Sequence, residues 1–412
     1  MMPKIPRATA TATLIVAAIL LLAGAARQAD QPILILISLD AWRWDYLERA
    51  KAPNLRKLAA AGVRAEALIP AFPSKTFPNH YTIVTGLSPE HHGIVSNTMV
   101  DRTIGPERFT MTSTTAKDAR WWGGEPLWVT AIRQGRRASV LFWPGSEAPI
   151  GGVRPDDWAP YSDAFPNKER VGRVLSWLAR PEAERPTFAT LYFSDVDTVG
   201  HSSGPDSTAV LAAADRLDAL IGTLVAGVDR LGLTKRTSYV VVSDHGMSQV
   251  SADRSIFLDD YLDPATVEVV EMSPVLQILP RSGSADDIYR ALKGKHNALS
   301  VYRREEMPAH LRYRSHARIP PVVGLADDGW TITLRSRVTL RQGGARGGEH
   351  GYDPYYRSMF GLFIASGPAF RRAAVVPAFE NIHIYELMCR VLGLKPASND
   401  GDPSLADRFL AR

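Results

Sequence analysis

A threonine stands where a helix is predicted to begin, a position suited to phosphate chemistry. Residues 72–81 are Phe-Pro-Ser-Lys-Thr-Phe-Pro-Asn-His-Tyr. Pro78 favours a first helical turn and Gly86 favours the end of a short helix, so Thr76 lies at the helix N-terminus. Unpaired N–H groups and the helix dipole attract an anion there, and the Thr76 hydroxyl is a candidate nucleophile if a base or a metal activates it. A simple helix cap is the other interpretation that this stretch allows.

Acidic residues and histidines follow three apolar segments of the chain. They are Asp40, Asp197, His201, Asp244 and His245. Asp197 and His201 are four residues apart, so one helical turn points both side chains at one ion. Because parallel strands end at one crevice, the three groups are expected to meet. The sequence therefore predicts a metal site at that crevice.

The segments that precede these side chains predict the sheet that must position them. Residues 32–39, 187–193 and 237–243 are nearly uninterrupted apolar runs, as expected for parallel strands buried on both faces. An alanine- and leucine-rich pattern from about residue 207 to 231 predicts a crossover helix. Glycines between residues 343 and 348 give the backbone freedom that would let His350 reach the crevice. The predicted fold class is α/β, with a mostly parallel central sheet flanked by helices.

The length and composition indicate one large domain that carries a smaller unit. The chain has 412 residues, 45% of them hydrophobic, which is ample for a large core. From about residue 251 to 342 the pattern changes to shorter β-like pieces, one helix and several prolines. We therefore predict a catalytic core formed by residues 30–250 and 343–412, with an inserted α+β sub-domain at 251–342. Cys389 is the single cysteine and is expected to be a buried structural thiol.

The N-terminus has the pattern of a secretory signal. Lys4 and Arg7 precede a short apolar stretch and then small residues, which predicts a signal peptide at residues 1–26. The apolar stretch is short for a stable membrane span, so we expect export to the periplasm or secretion, with an N-terminal anchor as the minor alternative. Without Lys4 and Arg7 the formal charge falls from +5 to +3, which does not indicate a nucleic-acid-binding surface. A monomer is expected.

Taken together, these motifs resemble the nucleotide pyrophosphatase/phosphodiesterase family of the alkaline phosphatase superfamily. The matching segments are residues 38–40, 72–81, 85–87, 92–94, 197–201, 243–247 and 350–353. They run in the family's order over about residues 33–394, nearly the whole mature chain. The resemblance implies an alkaline-phosphatase-like core.

The resemblance also implies two zinc ions and a covalent mechanism. The implied ligands are Asp40, Asp244, His245 and Thr76 for one ion, and Asp197, His201 and His350 for the other. Zinc would activate the Thr76 hydroxyl, which would attack phosphorus to give a phosphothreonine ester. From its residue type alone Asn97 is a loop amide or an oxyanion donor; the resemblance implies that it holds a non-bridging oxygen.

A small-molecule substrate with a nucleobase is implied in the same way. Aromatic residues at the positions of Phe77 and Tyr161 would stack on the base, and Tyr192 would line the same pocket. Hydrolysis of nucleotide phosphodiesters or pyrophosphates to nucleoside monophosphates is thus the expected activity. Phe77 would also suit an apolar or choline-like group, so a phospholipid or choline-phosphodiester hydrolase stays open.

Two further functions stay open, and some histidines receive no role. An alkaline-phosphatase-type phosphomonoesterase would need more positive charge than Asn97 offers, and a zinc-dependent binding protein would need the ligands alone. A sulfatase is disfavoured because residues 76–80 lack the required Cys- or Ser-containing motif. The histidines without a role are His91, His92, His296, His310 and His316. His91 and His92 are expected to be surface loop residues rather than ligands.

Overall fold

The computed structural model describes residues 31–340 and 347–411, and a large mixed sheet organises this part of the chain. Its strand order is Ala374–Val376, Val63–Ala65, Phe363–Ser366, Thr237–Val242, Ile33–Leu39, Phe188–Phe193, Ala138–Leu141 and Asp157–Ala159. Seven of these strands run in one direction, and Phe363–Ser366 runs against its two neighbours. The predicted fold class is confirmed.

Three adjacent strands form the centre of the sheet. Every residue of Ile33–Leu39, Phe188–Phe193 and Thr237–Val242 is buried. Ser38 pairs with Tyr192 on one side and with Val242 on the other, so the three strands end at the same level. This register brings the residues that follow each strand to one edge, as the sequence predicts.

Helices pack on both faces of the sheet, which explains why the central strands are apolar throughout. Ile33, Ile35 and Ile37 share one core cluster with the helices Pro53–Ala61, Asn167–Leu178 and Thr208–Arg230. Leu34 and Leu36 face the opposite cluster, which contains side chains of Thr76–Thr85, Leu127–Arg133 and Ile384–Leu392. The remaining α-helices of the described residues are Tyr46–Arg49, Pro89–His92, Asp195–Ser203, Ala285–Leu292 and Arg335–Leu340.

A second sheet lies within the segment between residues 251 and 340, which we call the inserted segment. Its four antiparallel strands are ordered Val267–Glu271, Val275–Pro280, Val322–Ala326 and Leu299–Arg303. The helix Ala285–Leu292 packs with them in a separate core cluster. The content is α+β, as expected for residues 251–342; the proposed domain boundaries themselves stay a prediction.

Short strand pairs complete the fold. They are Ser248–Val250 with Gly347–Glu349, Ser255–Phe257 with Thr331–Thr333, Leu68–Ile69 with Phe379–Glu380, and Thr98–Met99 with Phe109–Thr110. Cys389 is buried in the helix Ile384–Leu392, as predicted. The predicted signal peptide lies outside the described residues. Within the described part of the chain, no helix has the length and apolar character needed to cross a membrane.

Candidate active site

Thr76 is the first residue of the helix Thr76–Thr85 rather than its cap. Lys75 takes the N-cap position with an extended backbone, and its own side chain makes no capping hydrogen bond. Gly86 ends the helix with φ +66°, in the left-handed region that glycine favours. The Thr76 hydroxyl oxygen instead lies 3.4 Å from Nε2 of His245. The helix is confirmed, and the alternative of a simple helix cap is wrong for Thr76.

The first cluster of candidate ligands consists of Asp40, Asp244 and His245. Asp40 follows the central strand Ile33–Leu39, and the other two follow Thr237–Val242. Nε2 of His245 lies 3.5 Å from Oδ1 of Asp40 and 3.1 Å from Oδ2 of Asp244. All three side chains are buried, and one ligand atom from each lies within 4.8 Å of the others.

The second cluster consists of Asp197, His201 and His350. Asp197 and His201 share the helix Asp195–Ser203, where Oδ1 of Asp197 lies 3.4 Å from Nε2 of His201. Nε2 of His350 lies 3.6 Å from the same oxygen. The rings of His350 and His245 stack with centroids 3.7 Å apart, so the two clusters are adjacent.

Each of the three histidines is oriented by the main chain. Nδ1 of His201 lies 2.9 Å from the carbonyl oxygen of Gly348. Nδ1 of His245 lies 2.8 Å from the carbonyl oxygen of Gly246. Nδ1 of His350 lies 2.9 Å from the carbonyl oxygen of Ser74. Because a carbonyl oxygen only accepts, each Nδ1 carries the proton and donates. In the neutral imidazole, Nε2 is thereby left with a lone pair that faces the carboxylates, as in histidines that bind metal.

Three carboxylate oxygens in the clusters lack a hydrogen-bond partner. They are Oδ1 of Asp40, Oδ1 of Asp197 and Oδ2 of Asp244, all buried within the described structure. A buried anionic oxygen without a partner is costly, and a bound cation removes that cost. Carboxylate oxygen and imidazole nitrogen are ligands that zinc accepts. The residues present therefore fit two metal ions.

The pKa values of these groups show how closely like charges are placed. Burial and the charges of Asp244 and Asp197 raise the pKa of Asp40 well above its usual range. Burial lowers the pKa of His201, but the nearby carboxylates of Asp197 and Glu349 raise it overall to about 9. Burial and nearby positive charges hold the pKa of His350 well below its usual range.

Two residues support the first cluster through contacts that the sequence did not indicate. The Tyr192 hydroxyl donates to Oδ2 of Asp40 at 2.6 Å. Nδ1 of His80 lies 2.8 Å from the Thr76 carbonyl and 3.3 Å from Oδ2 of Asp244. Tyr192 lines the pocket as expected, but it also orients a candidate ligand. The signal for His80 was its spacing, four residues after Thr76 on one helix face.

Asn97 lies beside the start of the Thr76–Thr85 helix. Its Oδ1 accepts a hydrogen bond from the Phe77 N–H at 2.9 Å. This bond orients the amide and leaves Nδ2 without a hydrogen-bond partner among the described residues. The arrangement places a neutral donor next to the helix N-terminus, where the sequence expects a phosphate oxygen.

A cavity of about 360 Å³ opens beside Thr76 and two of the candidate ligands, Asp40 and Asp197. The Phe77 ring packs 6.0 Å from Phe109 and from Trp122, whereas Tyr161 is 39% exposed and packs edge-on against Phe142. The residues that line it include Asp40, Thr76, Phe77, Lys117, Glu147, Tyr161, Tyr192 and Asp197. The structure thus brings all three predicted pocket aromatics to one cavity.

The remaining histidines are not in either cluster. His91 is exposed and pairs with Asp400, as expected for a surface residue. His92 is fully buried, accepts from the Ile94 N–H and packs against Tyr81, so its assignment to the surface is wrong. Its ring fills a core position that the turn-rich sequence around it did not indicate. His296, His310 and His316 lie in the inserted segment, away from both clusters.

Comparison with known proteins identifies the family. Residues 34–353 match the model of the type I phosphodiesterase / nucleotide pyrophosphatase family. The chain belongs to this family. Rat ectonucleotide pyrophosphatase/phosphodiesterase family member 3 is 36% identical over 92% of this chain and 44% of its own length. Venom phosphodiesterase CdcPDE of Crotalus durissus collilineatus is 38% identical over 90% of this chain and 46% of its own length. The chain therefore spans slightly less than half the length of these curated relatives.

Solved structures confirm the alkaline-phosphatase-like fold. Murine ectonucleotide pyrophosphatase / phosphodiesterase 5 has a TM-score of 0.87 at 34% identity, covering 92% of this chain and 100% of that chain. A second murine structure, described as an inactive threonine-to-alanine variant in complex with AMP, has the same TM-score at 33% identity and equal coverage. The family's core fold is thus present in this chain.

Proposed function

We propose that this protein is a metal-dependent phosphodiesterase or nucleotide pyrophosphatase that acts through Thr76. The observation that carries this proposal is the position of the Thr76 hydroxyl, at a helix start, 3.4 Å from His245 of the first cluster and facing an aromatic cavity. Membership of the family sets the reaction class, and the groups around the hydroxyl support it.

Two zinc ions are the proposed cofactors. Asp40, Asp244, His245 and Thr76 would hold one ion, and the second cluster of Asp197, His201 and His350 would hold the other. Bound zinc supplies Lewis-acid chemistry: it lowers the pKa of a coordinated hydroxyl and compensates negative charge on phosphoryl and leaving oxygens.

The residues of the chain carry the rest of the reaction. The Thr76 hydroxyl gives its proton to solvent water, and Oγ1 forms a bond to phosphorus while the bond from phosphorus to the leaving oxygen breaks, and the leaving oxygen takes the electron pair. The product is a phosphothreonine ester that still carries the nucleoside. Water then cleaves this ester, releases the nucleoside monophosphate and restores the Thr76 hydroxyl. The Thr76 N–H and Nδ2 of Asn97 donate to a non-bridging oxygen throughout.

The charges around the cavity favour a phosphodiester over a phosphomonoester. Asn97 adds no charge, and Lys117 is the single Lys or Arg among the described residues that line the cavity. Lys117 is itself paired with Glu147 at 3.1 Å. A singly charged diester suits such a site better than a doubly charged monoester.

A nucleotide is the proposed substrate class. Phe77 and Tyr161 line the same cavity, whose volume of about 360 Å³ suits a small ligand. The AMP complex of the murine relative supports this choice, and the inactive threonine-to-alanine variant supports a catalytic threonine. The names of the ecto-enzyme and venom relatives support export of this chain.

The test compares two chromogenic esters on the zinc-loaded protein. We expect kcat/KM for the nitrophenyl ester of a nucleoside monophosphate to exceed that for nitrophenyl phosphate by at least about 100-fold, equivalent to about 2.7 kcal/mol. Thr76→Ala should abolish both activities, and Thr76→Ser should retain part. A preference for the monoester would establish the phosphomonoesterase instead. Full activity of Thr76→Ala would contradict the proposed nucleophile.

A further inference from the structure

A glutamate of the inserted segment reaches into the core behind the proposed phosphate site. Oε1 of Glu271 lies 3.7 Å from Nζ of Lys75, the residue before Thr76. Oε2 of the same carboxylate accepts a hydrogen bond from Oγ of Ser96 at 3.1 Å, and Ser96 is the residue before Asn97. One side chain thus bridges the neighbours of the proposed nucleophile and of the proposed oxygen donor.

The backbone around Glu271 is shaped to direct this side chain. Glu271 ends the strand Val267–Glu271, and its pairing with Val275–Pro280 shifts register between Val269 and Glu271. Irregularities of this kind re-aim a side chain and are frequent next to active sites. The Glu271 side chain is 18% exposed and that of Lys75 is 7% exposed, so solvent ions screen the pair little.

The side chain of Lys75 is also held by other residues of the inserted segment. Its ammonium donates to the carbonyl of Ser273 at 3.0 Å. A Cβ added to Gly351 would lie 3.0 Å from Cε of Lys75 and 2.9 Å from Pro274, so the lysine stem has no spare space there. A displacement of Glu271 would therefore act on the Lys75 side chain through its ammonium, and through Lys75 on the adjacent Thr76.

The loop that leads to Asn97 is held by the same segment. The Tyr313 hydroxyl donates to the carbonyl of Val95 at 2.6 Å, and Nη1 of Arg318 donates to the carbonyl of Gly93 at 2.8 Å. With the bond from Ser96 to Glu271, three residues just before Asn97 are anchored to the inserted segment. Tyr313 also packs against Phe72 in the segment before Thr76, whereas Glu271 faces Lys75, the residue directly before Thr76.

We propose that Glu271 is a positioning residue that acts with the bond from the Phe77 N–H to Asn97 to hold Thr76 and Asn97 at their distance across the phosphate site. This inference rests on the proposed function, because it assumes that both residues contact the reacting phosphoryl group. Glu271 does not touch the substrate; it acts through Lys75 and Ser96. A shift of about 1 Å in a reacting group costs on the order of 100-fold in rate, so the bridge is expected to affect kcat.

The test uses Glu271→Gln in the full zinc-loaded protein. Glutamine keeps the length of the side chain and still accepts from Ser96, but it loses the charge that faces Lys75. We expect kcat for the nitrophenyl ester of a nucleoside monophosphate to fall about 10- to 100-fold, while KM changes by less than about threefold. Bound zinc and the melting temperature should stay close to the wild-type values.

Ser96→Ala removes the hydrogen bond from Ser96 to Glu271 and is expected to lower kcat by a smaller factor. If both residues act through one link, the double variant Glu271→Gln/Ser96→Ala loses less than the product of the two single losses. Glu306→Gln is the matched control, since Glu306 pairs with Arg303 in the same segment without reaching the core. This control is expected to keep wild-type kcat.

Three results would overturn the inference. They are wild-type kcat in Glu271→Gln, losses that multiply in the double variant, and a loss of kcat that follows a loss of zinc or of folded protein. A failure of the proposed function is distinguishable, because the wild-type protein would then lack diesterase activity or Thr76→Ala would keep it. Diesterase activity that depends on Thr76 but is unaffected by Glu271→Gln overturns this inference alone.

Discussion

Asp40, Asp244 and His245 are buried at the ends of central strands, whereas Tyr161 stands on a loop with 39% of its surface exposed. The candidate ligands are held by the main chain and by buried partners. In the pocket wall Tyr161 packs against Phe142 and Tyr192 and its hydroxyl donates to Asp163, but the wall stays open to solvent, and Met111 on its rim is 44% exposed. Under the proposed function, the chemistry would therefore lie in the core of the fold, while substrate selection would fall to loops, which tolerate change.

The largest expected effect comes from a substitution in the buried cluster of candidate ligands. Asp40→Asn removes a charged ligand atom that has no other partner in the described structure. Because a bound metal contributes several kcal/mol to transition-state stabilisation, kcat/KM should fall at least about 1,000-fold. Metal analysis should show loss of one of two equivalents of zinc, and an unchanged stoichiometry with full activity would contradict the assignment.

A smaller effect is expected from Tyr192, which contacts the buried Asp40 and also lines the pocket. Tyr192→Phe keeps the ring in the pocket but removes the bond to Asp40. Loss of such an outer partner typically costs about 10- to 100-fold in metal affinity, which competition with a chelator measures. Tyr385→Phe is the control, since its hydroxyl contacts Thr130 in the core. Equal zinc affinity in Tyr192→Phe and in the control would refute the role.

A substitution of the exposed pocket residue Tyr161 should affect substrate binding rather than the chemical step. Stacking on an aromatic side chain contributes about 1–3 kcal/mol per base, so Tyr161→Ala should raise KM for a nucleoside ester roughly 5- to 100-fold. A methyl nitrophenyl phosphate without a base should show little change. Equal losses for both substrates would indicate that Tyr161 serves the structure and not base recognition.

The smallest effect on activity is expected from His92, whose burial predicts a pH dependence of stability instead. Burial lowers the pKa of His92 from 6.5 to about 3, so between these values the unfolded chain binds a proton that the folded chain does not. Stability is therefore lost as the pH falls from about 6.5 to 3, by at most about 1.4 kcal/mol per pH unit. Urea unfolding of the chelator-treated protein should show a shallower slope for His92→Asn. An identical slope in wild type and variant would contradict this account.

The sequence was sufficient for the strands and for the candidate ligands at their ends. Long apolar runs such as Ile33–Leu39 can be buried only in a covered sheet, and parallel strands must end together. Thr76 was found for a similar reason, because proline and glycine mark the ends of its short helix. Local patterns carried all of this information.

Local sequence patterns do not predict contacts between side chains that are far apart in the chain. Tyr192 meets Asp40 across two paired strands, and Glu271 meets Ser96 from another sheet. Neither contact leaves a periodic trace in the sequence. His92 was assigned to the surface because loop histidines usually lie there, whereas packing against Tyr81 and the Ile94 N–H places it in the core.

The central claim is that Thr76 becomes covalently attached to the nucleotide during turnover. It is tested most directly by mixing the zinc-loaded protein with a nucleoside nitrophenyl phosphate, stopping the reaction in acid within one turnover, and analysing the peptides by mass spectrometry. The account predicts a nucleoside monophosphate ester on the peptide that contains Thr76, and none in Thr76→Ala. An adduct on another residue, or turnover by Thr76→Ala at the wild-type rate, would contradict it.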